Sequence, residues 1–330
     1  MQKLVGLEEH VVWPGVVTKW SRLSPKWRDL SFTASTTGDT GRRLAEVGPE
    51  RLEAMDRTGL DMQVLSLSTP GVQNLSAADA TTLQSISNDA LAETVRARPD
   101  CFGGFAALAT SEPASAAKEL ERAIRTLNLD GAMIFGRTRA ESADSPSMWP
   151  IYEVAAALRA PLYLHPATPP HPIRFGSYDG FGDAVSAALA THRLGWHYDT
   201  GVQLIRLILS GVLDRFPDLQ IIVGHWGEMV LFYLERLAPL EAIAKLPRPL
   251  IDYFRSQVYV TPSGMQSDRY LAWAMDILGP ERIMFSTDYP FEPASTSGAR
   301  TYLTDASLDE RQRELIASEN WNQLRSAIRR

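Results

Sequence analysis

The sequence predicts an α/β protein, a single (β/α)8 TIM barrel with loop insertions after the first and fifth strands. Three observations support this prediction. Eight short apolar runs occur along the 330 residues, helical patterns fill the spaces between them, and the alternation continues to the end of the chain. Strands that alternate with helices indicate a parallel sheet, and eight such units close a barrel.

The predicted strands are mostly continuous in apolar character, as expected for parallel strands buried on both faces. We predict strands at residues 4–10, 62–68, 101–108, 131–136, 161–166, 219–225, 257–264 and 282–290. The predicted helices are residues 48–59, 77–98, 114–127, 147–159, 182–212, 228–244, 267–278 and 307–329. Since no low-complexity tract or linker divides the chain, we expect residues 1–330 to form one domain.

Two connections between the predicted elements are long. Residues 11–47 follow the first strand and carry Trp13, Trp20 and Trp27, and residues 167–181 follow the fifth strand. Long segments without regular structure are typical of lids or insertions, and both leave strand ends on the face where barrel active sites lie. The alternative is that they decorate the surface.

The composition argues against several classes of protein. The net charge is −6, the pI is near 5.6 and no stripe of lysine and arginine is present, so we expect no nucleic-acid partner. No run reaches the roughly 20 apolar residues of a membrane helix, and no signal-peptide pattern is seen at the N-terminus. The single cysteine, Cys101, lies among apolar residues. This favours a core thiol in a cytoplasmic protein over a nucleophile.

Polar side chains follow several apolar runs, at the point where each predicted strand ends. They are Glu8, Glu9, His10, His165, His225 with Glu228 nearby, and Asp288. A barrel brings the C-terminal ends of its strands to one face, so we expect these side chains to lie close together.

Four of these residues form a candidate metal site. Side chains alternate along a strand, so Glu8 and His10 share a face that Glu9 does not. With His165 and Asp288 they make a mixed nitrogen and oxygen set that suits a divalent ion such as Zn²⁺ or Mn²⁺. A single strand-end histidine is more commonly satisfied by packing or hydrogen bonds, but four such residues on three strands favour a metal site.

Several segments together resemble the decarboxylase branch of the amidohydrolase superfamily, and most closely its ortho-hydroxybenzoate decarboxylases. The likeness covers nearly the whole chain and is weakest over residues 11–47 and 167–195. The segments are "LEEH" (7–10), "YLHP" (163–166), "IIVGHWGE" (221–228), "FSTDYPFE" (285–292), "RLEAMDRTGLDMQVLSLSTPGVQ" (51–73) and "LIRLILSGVLDRFPDLQIIVGH" (204–225). The Glu-x-His pair in the first strand resembles the benzoate decarboxylases, whereas many amidohydrolases carry His-x-His there.

The resemblance implies one divalent ion, Zn²⁺, Mn²⁺ or Mg²⁺, and no organic cofactor. Its ligands would be Glu8, His10, His165 and Asp288. Binuclear hydrolases of the superfamily carry a carboxylated lysine at the end of the fourth strand, whereas here that strand ends "IFGRT". One bound ion is therefore the better expectation.

The resemblance also implies a reaction, the non-oxidative decarboxylation of an ortho-hydroxylated aromatic carboxylic acid by a carboxy-lyase. The ring carbon would be protonated first, and C–C cleavage would then release CO2 and a phenol. Asp288 would donate the proton, and His225 would hydrogen-bond to Asp288 or to the substrate. Glu228 would orient His225. The alternative for Glu228 is a carboxylate favoured by a helix N-terminus.

Three further residues are expected to shape the site for a small aromatic acid: Phe291, His197 and Trp20. Pro262, in the seventh predicted strand, departs from the family pattern. Relatives form dimers or tetramers, so we expect a homodimer or homotetramer. The alternative function is a metal-dependent hydrolase or hydratase of a lactone or enol acid, and a third reading is a barrel that has lost catalysis. Glu8 favours decarboxylation, because an extra carboxylate makes the ion less Lewis-acidic and better suited to hold a phenolate.

Overall fold

The computed structural model describes residues 3–292 and 298–330. A parallel sheet of seven strands forms its centre, in the spatial order β1-β2-β3-β4-β7-β8-β9, and β5 and β6 form a separate antiparallel pair. The strands are β1 (Val5–Val11), β2 (Met62–Leu67), β3 (Phe102–Ala107), β4 (Ala132–Phe135), β5 (Arg137–Thr138), β6 (Glu141–Ser142), β7 (Leu162–His165), β8 (Ile221–Val223) and β9 (Val258–Val260).

The segment after Ile283 closes the gap between the two edge strands. Ile283 pairs with Val260 of β9, and Tyr289 pairs with Glu9 of β1, each through a single parallel bridge. The result is a TIM-like barrel, which confirms the predicted α/β class and parallel sheet. The predicted eighth strand, residues 282–290, is not regular. One reason is that Asp288 has a φ of 57°, a left-handed conformation that an extended ladder cannot continue through.

Helices surround the sheet and fill the connections. The α-helices among the described residues are Pro14–Ser21, Phe32–Thr36, Gly38–Ala45, Pro49–Thr58, Ala77–Ala97, Pro113–Arg125, Trp149–Leu158, His171–Ser177, Asp183–Ala190, Gly195–Leu209, Val212–Arg215, Val230–Leu237, Leu240–Ala244, Leu250–Gln257, Asp268–Leu278, Ala299–Asp305, Glu310–Glu314 and Asn320–Ser326. Pro146–Met148 and Pro280–Arg282 are 3-10 helices, and Leu315–Glu319 is a π-helix. Across residues 3–292 and 298–330, no helix combines the length and apolar character needed to cross a membrane.

Other sequence predictions of local structure were wrong or incomplete. The connections at residues 11–47 and 167–181 are partly helical, and Pro14 starts the first of their helices at a position that proline favours. The predicted helix 182–212 is broken after Ala190, where the Thr191 hydroxyl donates to the carbonyl of Ala187 (2.7 Å). The helix Leu250–Gln257 was not predicted.

A bulge in β1 turns its polar end into the barrel. The pairing register with β2 shifts between Gly6 and Glu9. Leu7 belongs to the same buried cluster as Tyr163, and the next residue, Glu8, accepts a hydrogen bond from the Tyr163 hydroxyl (2.5 Å). Two consecutive side chains therefore face the interior, which strict alternation forbids and a bulge allows.

Candidate metal centre and active site

The structure brings the four predicted metal ligands together at one end of the barrel. Possible ligand atoms of Glu8, His10, His165 and Asp288 all lie within 4.8 Å of one another. Each of the four residues is at least 91% buried, and the two imidazole rings meet edge to face with their centroids 4.7 Å apart. The cluster joins the ends of β1 and β7 to the segment that closes the barrel.

The hydrogen bonds of His165 leave one of its nitrogens free for an ion. Nδ1 lies 2.8 Å from the carbonyl of Pro166 and 3.0 Å from Oγ1 of Thr69. A carbonyl only accepts, so Nδ1 carries the proton, and in the neutral ring Nε2 presents a lone pair. Nε2 faces Oε1 of Glu8 at 3.0 Å. Two acceptor atoms at that distance repel each other unless a cation lies between them.

Two buried atoms of the cluster lack hydrogen-bond partners among the described residues, Oε1 of Glu8 and Nε2 of His10. Nδ1 of His10 lies 3.3 Å from the Ser66 hydroxyl, so a partner is available on the far side of the ring. Histidine ligands are usually oriented in this way, by a hydrogen bond to the nitrogen that does not bind the metal. The donor set and its two orphaned atoms therefore fit a divalent metal ion.

Two hydroxyl groups hold the other oxygen of Glu8. Oε2 accepts hydrogen bonds from Tyr163 (2.5 Å) and from Ser263, and the Tyr163 oxygen also lies 2.8 Å from Oγ1 of Thr261. Glu8 is thereby restricted to one free oxygen, Oε1. Sequence reasoning missed these hydroxyls, although Tyr163 stands two residues before His165 and so faces the same side of β7.

The ionisation states of the buried groups in this cluster favour the binding of a cation. Burial acts to raise the pKa of Glu8, but nearby His225, His165 and His10 outweigh it and hold the pKa well below its usual range. Burial and the carboxylates around Asp288, Glu8 first among them, raise the pKa of Asp288 well above its ordinary value. Burial lowers the pKa of His10, so its ring is neutral and able to act as a ligand.

Glu9 faces away from this cluster, as predicted, and binds the closing segment. It accepts hydrogen bonds from the backbone N–H (2.9 Å) and hydroxyl (2.7 Å) of Thr287, and from Gln63 (3.3 Å). Burial raises the pKa of Glu9 to about 7. Arg51, also missed by sequence reasoning, donates to the carbonyl of His10 and stacks over the Tyr289 ring at 4.4 Å.

A left-handed turn follows β8 and carries the remaining predicted catalytic residues. His225, Trp226, Gly227, Glu228 and Met229 have φ values of 47°, 57°, 84°, 53° and 67°. Four of the five are not glycine, so the turn is strained and needs support from its surroundings. The segment after β9 supplies it: the Ser263 hydroxyl accepts from the His225 N–H (2.9 Å), and the carbonyls of Thr261 and Met265 accept from the main chain (2.9 Å) and indole (2.8 Å) of Trp226.

The turn brings the two side chains His225 and Glu228 into contact. Nδ1 of His225 lies 2.8 Å from Oε1 of Glu228, and Nε2 of His225 faces Oδ2 of Asp288 at 3.9 Å. The second oxygen of Glu228 lies 2.9 Å from Nδ1 of His197. Burial acts to raise the pKa of Glu228, but His225 and His197 outweigh it, so the pKa is lowered and Glu228 is a carboxylate.

The three residues predicted to contact substrate occupy different environments. Phe291 is 36% exposed, and its ring centroid lies 5.7 Å from that of His10, at the edge of the metal cluster. His197 is turned toward Glu228. Trp20 is buried, and its indole donates to the carbonyl of Gly71 (2.8 Å), close to Thr69 in the chain. Substrate contact by these residues stays a prediction.

A protein-family model described as amidohydrolase matches residues 10–320 of the chain. The chain belongs to the amidohydrolase family. It is also 35% identical over 294 residues to a γ-resorcylate decarboxylase of a Polaromonas species, an alignment that covers 84% of this chain and 87% of that protein.

Solved structures of two decarboxylases are similar to this chain over nearly its whole length. A 5-carboxyvanillate decarboxylase from Sphingomonas paucimobilis has a TM-score of 0.89 at 33% identity, covering 99% of both chains. A dihydroxybenzoic acid decarboxylase from Polaromonas sp., with bound manganese and the inhibitor 2-nitroresorcinol, has a TM-score of 0.85 at 32% identity. That match covers 99% of this chain and 97% of the other. These relatives place the amidohydrolase in the hydroxybenzoate decarboxylase branch, as the sequence motifs indicated.

Proposed function

We propose that this amidohydrolase is a metal-dependent, non-oxidative decarboxylase of an ortho-hydroxylated aromatic carboxylic acid. The observation that carries the proposal is the convergence of Glu8, His10, His165 and Asp288, with His225 facing Asp288 at 3.9 Å. Relatives described as γ-resorcylate and 5-carboxyvanillate decarboxylases support the same reaction class.

One divalent ion, Mn²⁺, Zn²⁺ or Mg²⁺, is the proposed cofactor, without an organic group. Oε1 of Glu8, Nε2 of His10, Nε2 of His165 and a carboxylate oxygen of Asp288 would hold it. When bound, such an ion supplies a positive charge that stabilises an ionised phenol oxygen. The manganese in the dihydroxybenzoic acid decarboxylase supports this choice.

Asp288 is the proposed proton donor. Direct loss of CO2 from an aromatic ring would leave an unstable aryl anion, so the ring carbon that bears the carboxylate must gain a proton first. Asp288, a carboxylate once it binds the metal, would take the proton that the ortho hydroxyl of the substrate loses and transfer it to the ring carbon, and the ring loses its aromaticity. The C–C bond then breaks, its electron pair returns to the ring, and CO2 leaves with a phenol as the second product. His225, whose Nε2 lies 3.9 Å from Oδ2 of Asp288, would tune the transfer.

Glu228 has a supporting role in the proposal. A carboxylate at Nδ1 of an imidazole fixes its tautomer and orientation, so that Nε2 of His225 points at Asp288. Glu228 lies two residues before the helix Val230–Leu237, yet its carboxylate is directed at two imidazoles. This contact favours the orienting role over the helix-terminus alternative.

The outer parts of the site are proposed to set the substrate. Phe291 and Trp20 would shape the space for the ring. The segments between β1 and β2 and between β7 and β8 would be the insertions of a (β/α)8 barrel that cover this face. We further propose one domain over residues 1–330, a homodimer or homotetramer, a cytoplasmic location and no nucleic-acid partner.

A substrate panel tests the proposed reaction. Protein loaded with Mn²⁺ is incubated with 2,6-dihydroxybenzoate, 2,3-dihydroxybenzoate, salicylate and 5-carboxyvanillate, and CO2 and the phenol product are measured. The matched control is 4-hydroxybenzoate, which lacks the ortho hydroxyl and should not react. We expect equal amounts of CO2 and phenol from at least one panel member. If none reacts while lactones are hydrolysed, the protein is a hydrolase instead.

A further inference from the structure

The ring of His197 is held between two acceptors. It lies on the helix Gly195–Leu209, with Nδ1 2.9 Å from Oε2 of Glu228 and Nε2 3.1 Å from the carbonyl of His192. A carbonyl accepts hydrogen bonds and cannot donate them, and the same is true of an ionised carboxylate. Both ring nitrogens must therefore donate, and an imidazole that donates from both nitrogens is a cation.

The surroundings of His197 favour that cation. Its side chain is 14% exposed and that of Glu228 is fully buried, so the pair is largely shielded from solvent. Burial alone would lower the pKa of His197, but Glu228, the His192 carbonyl and the more distant Glu8 outweigh it, and the pKa is raised. The second nearby imidazole, His225, uses the other carboxylate oxygen of Glu228, and its ring centroid lies 4.3 Å from that of His197.

We propose that His197 is a positioning residue: an imidazolium that holds Glu228 in the orientation in which Glu228 holds His225. The inference rests on the proposed function, because it assigns His197 a role in that same site. It differs from direct substrate contact, since both nitrogens of His197 are used by the protein. Without the His197 ring, Oε2 of Glu228 would be buried without this donor, and the carboxylate would reorient.

Steady-state kinetics separate positioning from substrate binding. In His197→Leu we expect kcat to fall by about 10- to 100-fold, the usual effect of losing a residue that orients an active-site side chain through a hydrogen bond. KM should change less than about twofold. His197→Asn keeps an N–H donor toward Glu228 and should recover most of kcat. His192→Gln, which retains the backbone carbonyl, is the matched control and should keep normal kcat. A raised KM with unchanged kcat would mean substrate contact and would overturn the proposal.

Nitrogen NMR of the imidazole rings tests the charge state without using activity. At neutral pH, histidine-labelled protein should show one ring, absent from the spectrum of His197→Asn, with both nitrogens protonated. That ring should become neutral in Glu228→Gln, which lacks the carboxylate. A neutral His197 in the unsubstituted protein overturns the inference. Absence of decarboxylation with every substrate would instead refute the proposed function, and the NMR result would still decide the charge of His197.

Discussion

The carboxylate of Glu9 occupies the place that a side chain at Gly6 would need. A Cβ atom built on Gly6 would overlap Oε1 of Glu9. Through the same carboxylate, Glu9 binds the backbone and hydroxyl of Thr287, the residue before Asp288. A glycine near the start of β1 therefore makes room for the contact that anchors the closing segment and its metal ligand.

Gly6→Ala should destabilise the protein and weaken metal binding together. The added methyl would displace Glu9, and overpacking of a buried site costs about 1–3 kcal/mol. Urea unfolding and Mn²⁺ titration measure the two effects. The matched control is Gly176→Ala in the helix His171–Ser177, where a Cβ would meet no atom within 4 Å. Equal stability of the two variants would show that Glu9 can move without cost.

Tyr163→Phe and Ser263→Ala should each lower the affinity for Mn²⁺ by about tenfold. The hydroxyls hold Oε2 of Glu8, and loss of such supporting hydrogen bonds typically weakens metal binding by about 10- to 100-fold. Calorimetric titration measures the affinity. Tyr152→Phe is the matched control, because the buried Tyr152 hydroxyl donates to the Ala143 carbonyl, away from the cluster. Tyr152→Phe should lower stability without changing the affinity for Mn²⁺. Unchanged affinity in all three variants would argue that the hydrogen bonds to Oε2 of Glu8 do not support metal binding.

Asp288→Asn should abolish turnover, because an amide cannot donate the proton that the ring carbon needs. His225→Ala should lower kcat by about 10²- to 10⁴-fold, the usual effect of losing a general acid or base group, while leaving metal content largely intact. Product formation and elemental analysis are measured on the same samples. Loss of metal in His225→Ala would instead make His225 a ligand.

Mn²⁺ binding should release a proton and tighten as pH rises. The pKa of Asp288 is raised well above its ordinary value without an ion, so the cation must displace a proton from this carboxyl. Calorimetry in buffers with different ionisation enthalpies measures the proton release. Removal of the ion by a chelator should abolish decarboxylation, and added Mn²⁺ should restore it. Affinity independent of pH would show that Asp288 is already ionised.

In the metal-free protein, Glu9 should make the free energy of unfolding fall as pH rises between about 4.5 and 7. The pKa of Glu9 is raised by burial from an ordinary value of 4.5 to about 7, so in this window the folded state holds a proton that the unfolded state has lost. The unfolded state then binds fewer protons, so the free energy of unfolding falls as pH rises, by up to about 3 kcal/mol from Glu9 alone. Asp288 acts in the same direction, whereas His10, whose pKa is lowered by burial, acts in the opposite one.

Glu9→Gln tests this contribution because its side chain stays neutral. Urea unfolding between pH 4.5 and 7, in the presence of a chelator, should show a less negative slope of the free energy of unfolding against pH for Glu9→Gln than for the unsubstituted protein. Glu53→Gln, at a side chain that is 70% exposed, is the matched control and should leave the slope unchanged. An identical slope in all three proteins would mean that Glu9 is ionised throughout the range.

The sequence by itself determined the α/β class, the parallel sheet and the convergence of the candidate ligands. Apolar runs that alternate with helical patterns are local signals, and parallel barrel strands end on a common face. Glu8, His10, His165 and Asp288 each stand at the end of such a run, so their proximity follows from the fold class. Regular structure within residues 11–47 and the break after Ala190 were missed, because short helices and their ends carry weak signals.

Only the tertiary structure decided how these residues are supported. The hydroxyls of Tyr163 and Ser263 reach Glu8 from positions 155 and 255 residues away in the chain, a distance over which periodicity carries no information. The left-handed turn at His225 depends on hydrogen bonds to the segment after β9, and no local propensity favours four such residues in one turn. The charge of His197 depends on two acceptors that the fold places against its ring.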